Sequence, residues 1–193
     1  MKVELTSAPA VEPISTAEAK LFLRVDHTTD DTLIANLIKA ARRSCELFQN
    51  RVYITQTWKL YLDEFPEKEI RLPFSPVQSV SSVTYVDADG ATQTLSASTY
   101  QVDAKGVKPS IYLAPDTLTW PTTQTDKINA VTVTFVAGYG AAGSDVPEHI
   151  RAAIQLVLGD LYQNRENTVI GNITNELPNG AKHLLWQDRL YKF

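Results

Sequence analysis

With 193 residues, 44% of them apolar and 21% charged, the chain has the size and balance of a folded globular protein and not of a disordered tail. A formal net charge of −4 supplies no overall basic footprint of the kind general nucleic-acid binders carry, although a locally basic surface stays open. The single cysteine, Cys45, excludes an intramolecular disulfide and a zinc site built on several thiolates.

The opening residues, Met1-Lys2-Val3-Glu4-Leu5-Thr6, lack the apolar core of a secretory signal. No stretch approaches the roughly 20 apolar residues that span a bilayer. The expectation is a soluble chain made inside the cell, with no membrane partner. Residues 1–13 read as an extended arm punctuated by Pro9 and Pro13. Ser15 and Glu18 have the spacing of a capping box and announce a first helix that runs to about Val25. Thr29 is placed to cap a second helix, with Asp30 and Asp31 favoured by the dipole of its first turn. Leu33, Ile34, Leu37, Ile38, Ala41, Cys45 and Phe48 recur every three or four residues, the period of one helix face. Cys45 on that face reads as a small buried hydrophobe. The opposite side, with Asn36, Lys39, Arg42, Arg43 and Glu46, reads as a solvated polar face, or as a contact to an acidic partner or to DNA phosphates.

From Thr55 the period becomes two. Trp58, Leu60 and Leu62 alternate with polar neighbours as in a half-buried strand. Further strands are predicted over 70–73, 80–86, 92–95, 100–103, 110–113 and 130–136, with Asp87-Ala88-Asp89-Gly90 as a turn. No helical stretch separates these strands, so they form an antiparallel set. Pro147 suits the start of a third helix whose apolar face is Ile150, Ile154, Val157, Leu158 and Leu161. The stretch 168–174 reads as a loop or small hairpin, and Pro178 as the start of a last helix carrying Leu184, Leu185, Trp186 and Leu190. The predicted fold class is α+β. Residues 1–53 and 138–193 form a small helical bundle, with 54–137 as an inserted antiparallel β-module.

Candidate chemistry is sparse. His27, His149 and His183 lie in separate segments, and Asp26-His27 and Glu148-His149 are adjacent pairs whose side chains point apart. Gly138-Tyr139-Gly140-Ala141-Ala142-Gly143 is glycine-rich between a strand and a helix. It lacks the Lys-Ser/Thr of a phosphate loop, so its glycines are expected to let the chain leave the sheet and enter the helix. No catalytic residue, cofactor or metal site is predicted, and the chain is expected not to be an enzyme.

Several stretches, taken in order, resemble the head–tail connector (adaptor) proteins of long-tailed bacteriophages and prophages. They include Ser15-Thr16-Ala17-Glu18-Ala19-Lys20, Leu23-Arg24-Val25-Asp26, Asp30-Asp31-Thr32-Leu33-Ile34 and Thr55-Gln56-Thr57-Trp58. Ile70-Arg71-Leu72-Pro73, Val136-Ala137-Gly138-Tyr139-Gly140, Val146-Pro147-Glu148-His149-Ile150-Arg151 and Tyr162-Gln163-Asn164-Arg165-Glu166 continue the series. Each is weakly specific; the ordered set spans nearly the whole chain. The resemblance implies a ring of about twelve copies that docks under the portal protein after DNA packaging. Such a ring carries the tail or neck proteins and lets double-stranded DNA pass through its lumen. Some members of the family are labelled DNA-packaging proteins. The implied location is the virion's head–tail junction, after synthesis in the bacterial host's cytoplasm.

On this reading Arg42, Arg43 and Glu46 are candidate subunit contacts, and the segment with Leu184, Leu185, Trp186, Leu190, Tyr191 and Phe193 is a candidate portal anchor. The competing reading of the C-terminal apolar residues is that they complete the bundle core. Two other functions stay open: a neck or tail completion protein, and a β-rich ligand-binding module stacking ligands on Trp58, Tyr85, Tyr112 and Trp120.

Overall fold

The computed structural model describes residues 2–106, 108–164 and 177–190, so Tyr191, Phe193 and the stretch 168–174 lie outside the described residues. The fold is α+β. Its elements, in chain order, are β1 (Lys2–Ser7), α1 (Thr16–Leu23), α2 (Asp31–Gln49), β2 (Gln56–Leu62), β3 (Glu69–Arg71), β4 (Val77–Val86), β5 (Thr92–Thr94), β6 (Tyr100–Asp103), β7 (Ser110–Leu113), β8 (Val131–Ala137), α3 (Glu148–Gln163) and α4 (Asn179–Trp186). They group into two compact units, Met1–Pro9 with Thr55–Tyr139, and Ala10–Ile54 with Gly140–Phe193.

The β-unit holds a five-stranded sheet in the order β1-β2-β8-β4-β5 and a three-stranded sheet in the order β3-β7-β6. Every pairing between strands is antiparallel. Alternation sets the faces. Along β8, Val131, Val133, Phe135 and Ala137 are buried and the residues between them half-buried. Trp58 and Leu60 on β2 and Val83 on β4 fall on the same buried face, while Ile70 and Ile111 fill the core beside the second sheet. The extended arm is in part a strand: Lys2–Ser7 pairs along β2, with Leu5 opposite Trp58. That pairing puts the first nine residues with the β-unit. All six residues of β1 are exposed, so no buried alternation marked it as a strand in the sequence.

In the helical unit, α1 begins with the capping box that the sequence called for. The Ser15 hydroxyl accepts from the Glu18 N–H at 3.2 Å, and the Glu18 carboxylate accepts from the Ser15 N–H at 2.8 Å. The helix stops at Leu23, two residues before Val25, because Arg24 turns into left-handed backbone (φ 59°) and its N–H reaches back to the Leu21 carbonyl. Thr29 does not cap α2. Asp30 occupies the cap position without a side-chain cap bond, and its carboxylate instead accepts from the Tyr162 hydroxyl of α3 at 2.6 Å.

Lys20 on α1 donates to Asp31 on α2 at 2.7 Å, and Arg151 on α3 reaches Glu18 on α1. The buried faces of α2, α3 and α4 meet through Ile34, Ile38, Ala41 and Cys45, Ile150, Ala153, Ile154 and Leu158, and Ala181 and Leu185. No helix among the described residues is long and apolar enough to cross a membrane.

Candidate functional site

The charged side of α2 is not the uniformly solvated face its sequence suggests. Glu46 is 2% exposed and Arg42 9%. The Arg42 Nε donates to Glu12 at 2.7 Å and one of its terminal nitrogens to Glu46 at 2.8 Å, and Glu46 also accepts from the Tyr53 N–H at 3.1 Å. Burial alone would weaken the Arg42 charge, but the carboxylates of Glu46 and Glu12 outweigh it and hold the guanidinium's pKa above its ordinary value. The same burial, followed by the nearby Glu46 charge, pushes the Cys45 thiol up to about 12. The burial of Cys45 follows from helical periodicity, whereas that of Arg42 and Glu46 does not, because Glu12 and Tyr53 lie outside α2.

Arg43 is different. It stands 3.6 Å from Glu46 with half its side chain exposed. It shares an outer stripe with Leu33, Asn36, Ala40 and Leu47, all exposed. Of the three polar candidates on α2, Arg43 alone presents its charge outward.

The C-terminal segment divides in the same manner. Leu185 is fully buried, whereas Trp186 is 55% exposed. Three consecutive residues at the end of α2 strap this segment down. Gln49 donates to the Leu185 carbonyl at 2.7 Å, Asn50 to Leu190 at 2.6 Å and Arg51 to Asp188 at 2.6 Å. Leu190 returns its own N–H to the Gln49 carbonyl at 2.9 Å. The Arg189 guanidinium lies over the rings of Phe48 (4.5 Å) and Trp186 (5.3 Å). Leu185 therefore completes the core, and Trp186 offers a half-open aromatic face beside it. Leu190 is half-buried in the strap; Tyr191 and Phe193 lie outside the described residues.

Residues that could have carried chemistry are absorbed structurally. His149 meets Asp188 at 2.8 Å, a pair that only the return of the C-terminal segment creates. His27 and His183 are exposed. Among the described residues no group of three or more His, Cys, Asp or Glu is arranged to hold a metal. In the glycine-rich loop, Gly138 adopts φ +132°. A Cβ at Gly140 would overlap the Asp145 carboxylate, which accepts from the Ala142 N–H at 2.8 Å. The loop's own aspartate thus packs against Gly140 and takes a backbone N–H of the loop, which is the reason for glycine at that position.

The four aromatics of the possible stacking surface separate. Trp58 is 5% exposed and packs on Phe74. Trp120 stacks on Phe65 at 5.0 Å with Tyr85 edge-on to the same ring, and Tyr112 is exposed on the three-stranded sheet.

Comparison with known proteins gives three findings. A family model, that of the phage gp6-like head-tail connector protein, matches residues 14–112, just over half of the 193 residues. Among solved structures, one similar chain comes from the virion of a native gene transfer agent particle, with TM-score 0.84 and 23% identity. Others come from the neck of an empty gene transfer agent particle computed with C6 symmetry (TM-score 0.83, 22% identity) and from the neck of the native particle computed with C12 symmetry (0.81, 22%). In each case the match covers 100% of this chain and 97% of the other. At these identities the likeness shows a shared fold. No curated protein sequence matches.

Proposed function

The chain belongs to the phage gp6-like head-tail connector family, and from that premise we propose that it closes into a ring of about twelve copies beneath the portal protein. It is a structural connector protein, not an enzyme in this reading. The single observation that carries the proposal is the family match. The fold shared over the full chain with neck and virion chains, one from a neck of C12 symmetry, supports it. The location is then the virion's head–tail junction, reached after synthesis in the host cytoplasm. The ring carries the neck or tail proteins, and double-stranded DNA passes through its lumen.

A closed ring needs two different surfaces that fit each other, repeated around the axis. The outer stripe of α2, with Arg43 between Ala40 and Leu47, is one of them: small and apolar residues allow close approach, and one outward cation fixes register. Arg42 and Glu46 serve it indirectly, by holding α2 against the segments around Glu12 and Tyr53. Trp186 is the portal anchor within the described residues, with Leu190, Tyr191 and Phe193 following it in sequence. A net charge of −4 suits a lumen through which DNA must slide, because each phosphate neutralised by the protein would add binding free energy.

The test is to mix the purified protein with the portal ring encoded beside it and image the product by negative-stain electron microscopy. The expected result is added ring density at the portal's narrow end, absent with Trp186→Ala. A bare portal with folded wild-type protein would overturn the reading in favour of a later neck or tail component.

A further inference from the structure

Between the end of β7 at Leu113 and the start of β8 at Val131 the chain runs through residues 114–130 without helix or strand. A structureless connection longer than about 15 residues within a compact unit commonly carries function. This one is held in place. The Gln124 N–H donates to the Val86 carbonyl at 3.0 Å, the Val86 N–H to Ala130 at 2.9 Å and the Asn129 N–H to the Asp63 carboxylate at 2.8 Å. Asp126 and Asn129 both keep left-handed backbone, φ 58° and 57°. Asp and Asn are the side chains that accept this conformation most readily, and here they shape the turn back into β8.

The loop and the turn after β2 border an open groove of about 620 Å³, whose lining includes Asp63, Glu64, Phe65, Trp120 and Asp126. Three features fit it for recognition. Its aromatic wall is the Phe65–Trp120 stack, with the planes parallel within 2°. The Trp120 indole N–H is enclosed and has no hydrogen-bond partner, although such donors normally find one when buried. Ile128 in the lining is 75% exposed, and Leu118, two residues before Trp120, is 93% exposed. Charge decides the occupant: the carboxylates of Asp63, Glu64 and Asp126 face a single cation, Lys127.

We propose that this groove binds an extended, lysine- or arginine-bearing segment of a second protein seated on the connector. Cations of the segment meet the three carboxylates or lie over the aromatic stack, and its apolar side chains cover Ile128 and Leu118. A backbone carbonyl of the segment takes the Trp120 N–H once the loop has shifted enough to admit it. The part from Gln124 to Ala130 is pinned and pre-formed, which lowers the ordering cost of binding, and the shift falls on the part before it that carries Trp120. Nucleic acid is the wrong occupant, since its phosphates would face the same carboxylates. The inference does not depend on ring formation and is tested on the free chain.

The probe is acetyl-Leu-Lys-Val-Lys-Leu-Lys-amide, titrated into ¹⁵N-labelled full-length protein. The readout is the Trp120 indole cross-peak, identified by its loss in Trp120→Phe. The expected result is a saturable downfield movement that weakens with salt and does not occur with the same peptide carrying glutamate for lysine. Glu64→Gln with Asp126→Asn should lower the apparent affinity about tenfold, the effect of two partly exposed charge pairs. Asparagine tolerates the left-handed backbone, and unchanged dispersion of the other cross-peaks confirms that the variant is folded. No saturable movement, or equal movement with both peptides, overturns the proposal. So does a movement on raising protein concentration alone that the double variant abolishes, because it assigns the groove to a second copy of the chain.

Discussion

The two units both bury apolar cores but hold their distant segments together by different bonds. In the β-unit, strands far apart in sequence are joined by backbone ladders, as where β2 and β4 flank β8 along almost its whole length. The polar side-chain contacts there, such as Tyr61 with Glu4 and Gln78 with Thr55, are exposed additions. In the helical unit each helix satisfies most of its own backbone, so it is chiefly side chains that join segments separated by 132 to 140 residues. Both units should therefore respond to lost volume, and the helical unit also to lost polar partners.

The largest expected effect tests that contrast at Glu46. Glu46→Ala leaves the Arg42 guanidinium buried with only Glu12, and leaves the Tyr53 N–H without the carboxylate it donates to. Removing one partner of a buried ion pair costs about 3–5 kcal/mol. Thr134→Ala, on the half-buried outer side of β8, should stay within about 0.5 kcal/mol. Urea unfolding measures both. Cys45 supplies a probe specific to the helical unit. Its buried thiol, pushed up to about 12, stays protonated and unreactive towards thiol reagents until that unit opens. Equal costs for the two variants would remove the contrast.

The next effect separates two adjacent residues. Leu185→Ala empties a fully buried site against α2 and should cost about 2–5 kcal/mol. Trp186→Ala removes a half-open ring and should change stability much less, about 1 kcal/mol, while abolishing portal docking. Calorimetry and electron microscopy of the same two proteins distinguish core from anchor. Loss of stability in both would make the whole segment core.

What the sequence made legible follows from the same contrast. The strands over 56–62, 100–103 and 110–113 were readable because alternation and turn residues are local signals, as was the Ser15–Glu18 cap. The arm's pairing as β1 was not, because a strand with no buried face carries no alternation. The buried state of Arg42 and Glu46 was equally hidden. A helical wheel places them on a polar face, and only tertiary partners 30 residues away at Glu12 and 7 away at Tyr53 reveal that the face is covered. The His149–Asp188 pair and the strap from Gln49, Asn50 and Arg51 depend on the C-terminal segment folding back, which no local period encodes. The groove beside Trp120 was only partly visible: Trp120 stood out in the sequence, but its partner Phe65 did not, and the carboxylates are assembled from two separate loops.

The smallest effect concerns local carboxylates, of which each unit has one clear case. Ser15→Ala removes the cap acceptor of α1 and should cost about 1 kcal/mol. Its partner Glu18 has a pKa held below the ordinary 4.5, first by the Ser15 N–H and then by the Ser15 hydroxyl, against an opposing effect of burial, with Arg151 adding a lesser lowering. Folding thus favours the ionised form. The contribution is fully present above pH 4.5 and is lost as pH falls through the lower folded value. Glu18→Gln should accordingly flatten part of the acid limb of the stability–pH curve, and Ser15→Ala should flatten it less, because the Ser15 N–H remains. In the β-unit Asp87 is lowered in the same direction from 3.8, first by the Gln93 side chain and then by the Ala91 N–H. Gln93→Ala should raise it with a smaller change in the acid limb, since the carboxylate keeps its backbone donors and lies at the surface. Acid titrations of the four proteins rank these effects, and an equal response at Asp87 and Glu18 would mean that such local bonds matter alike in both units.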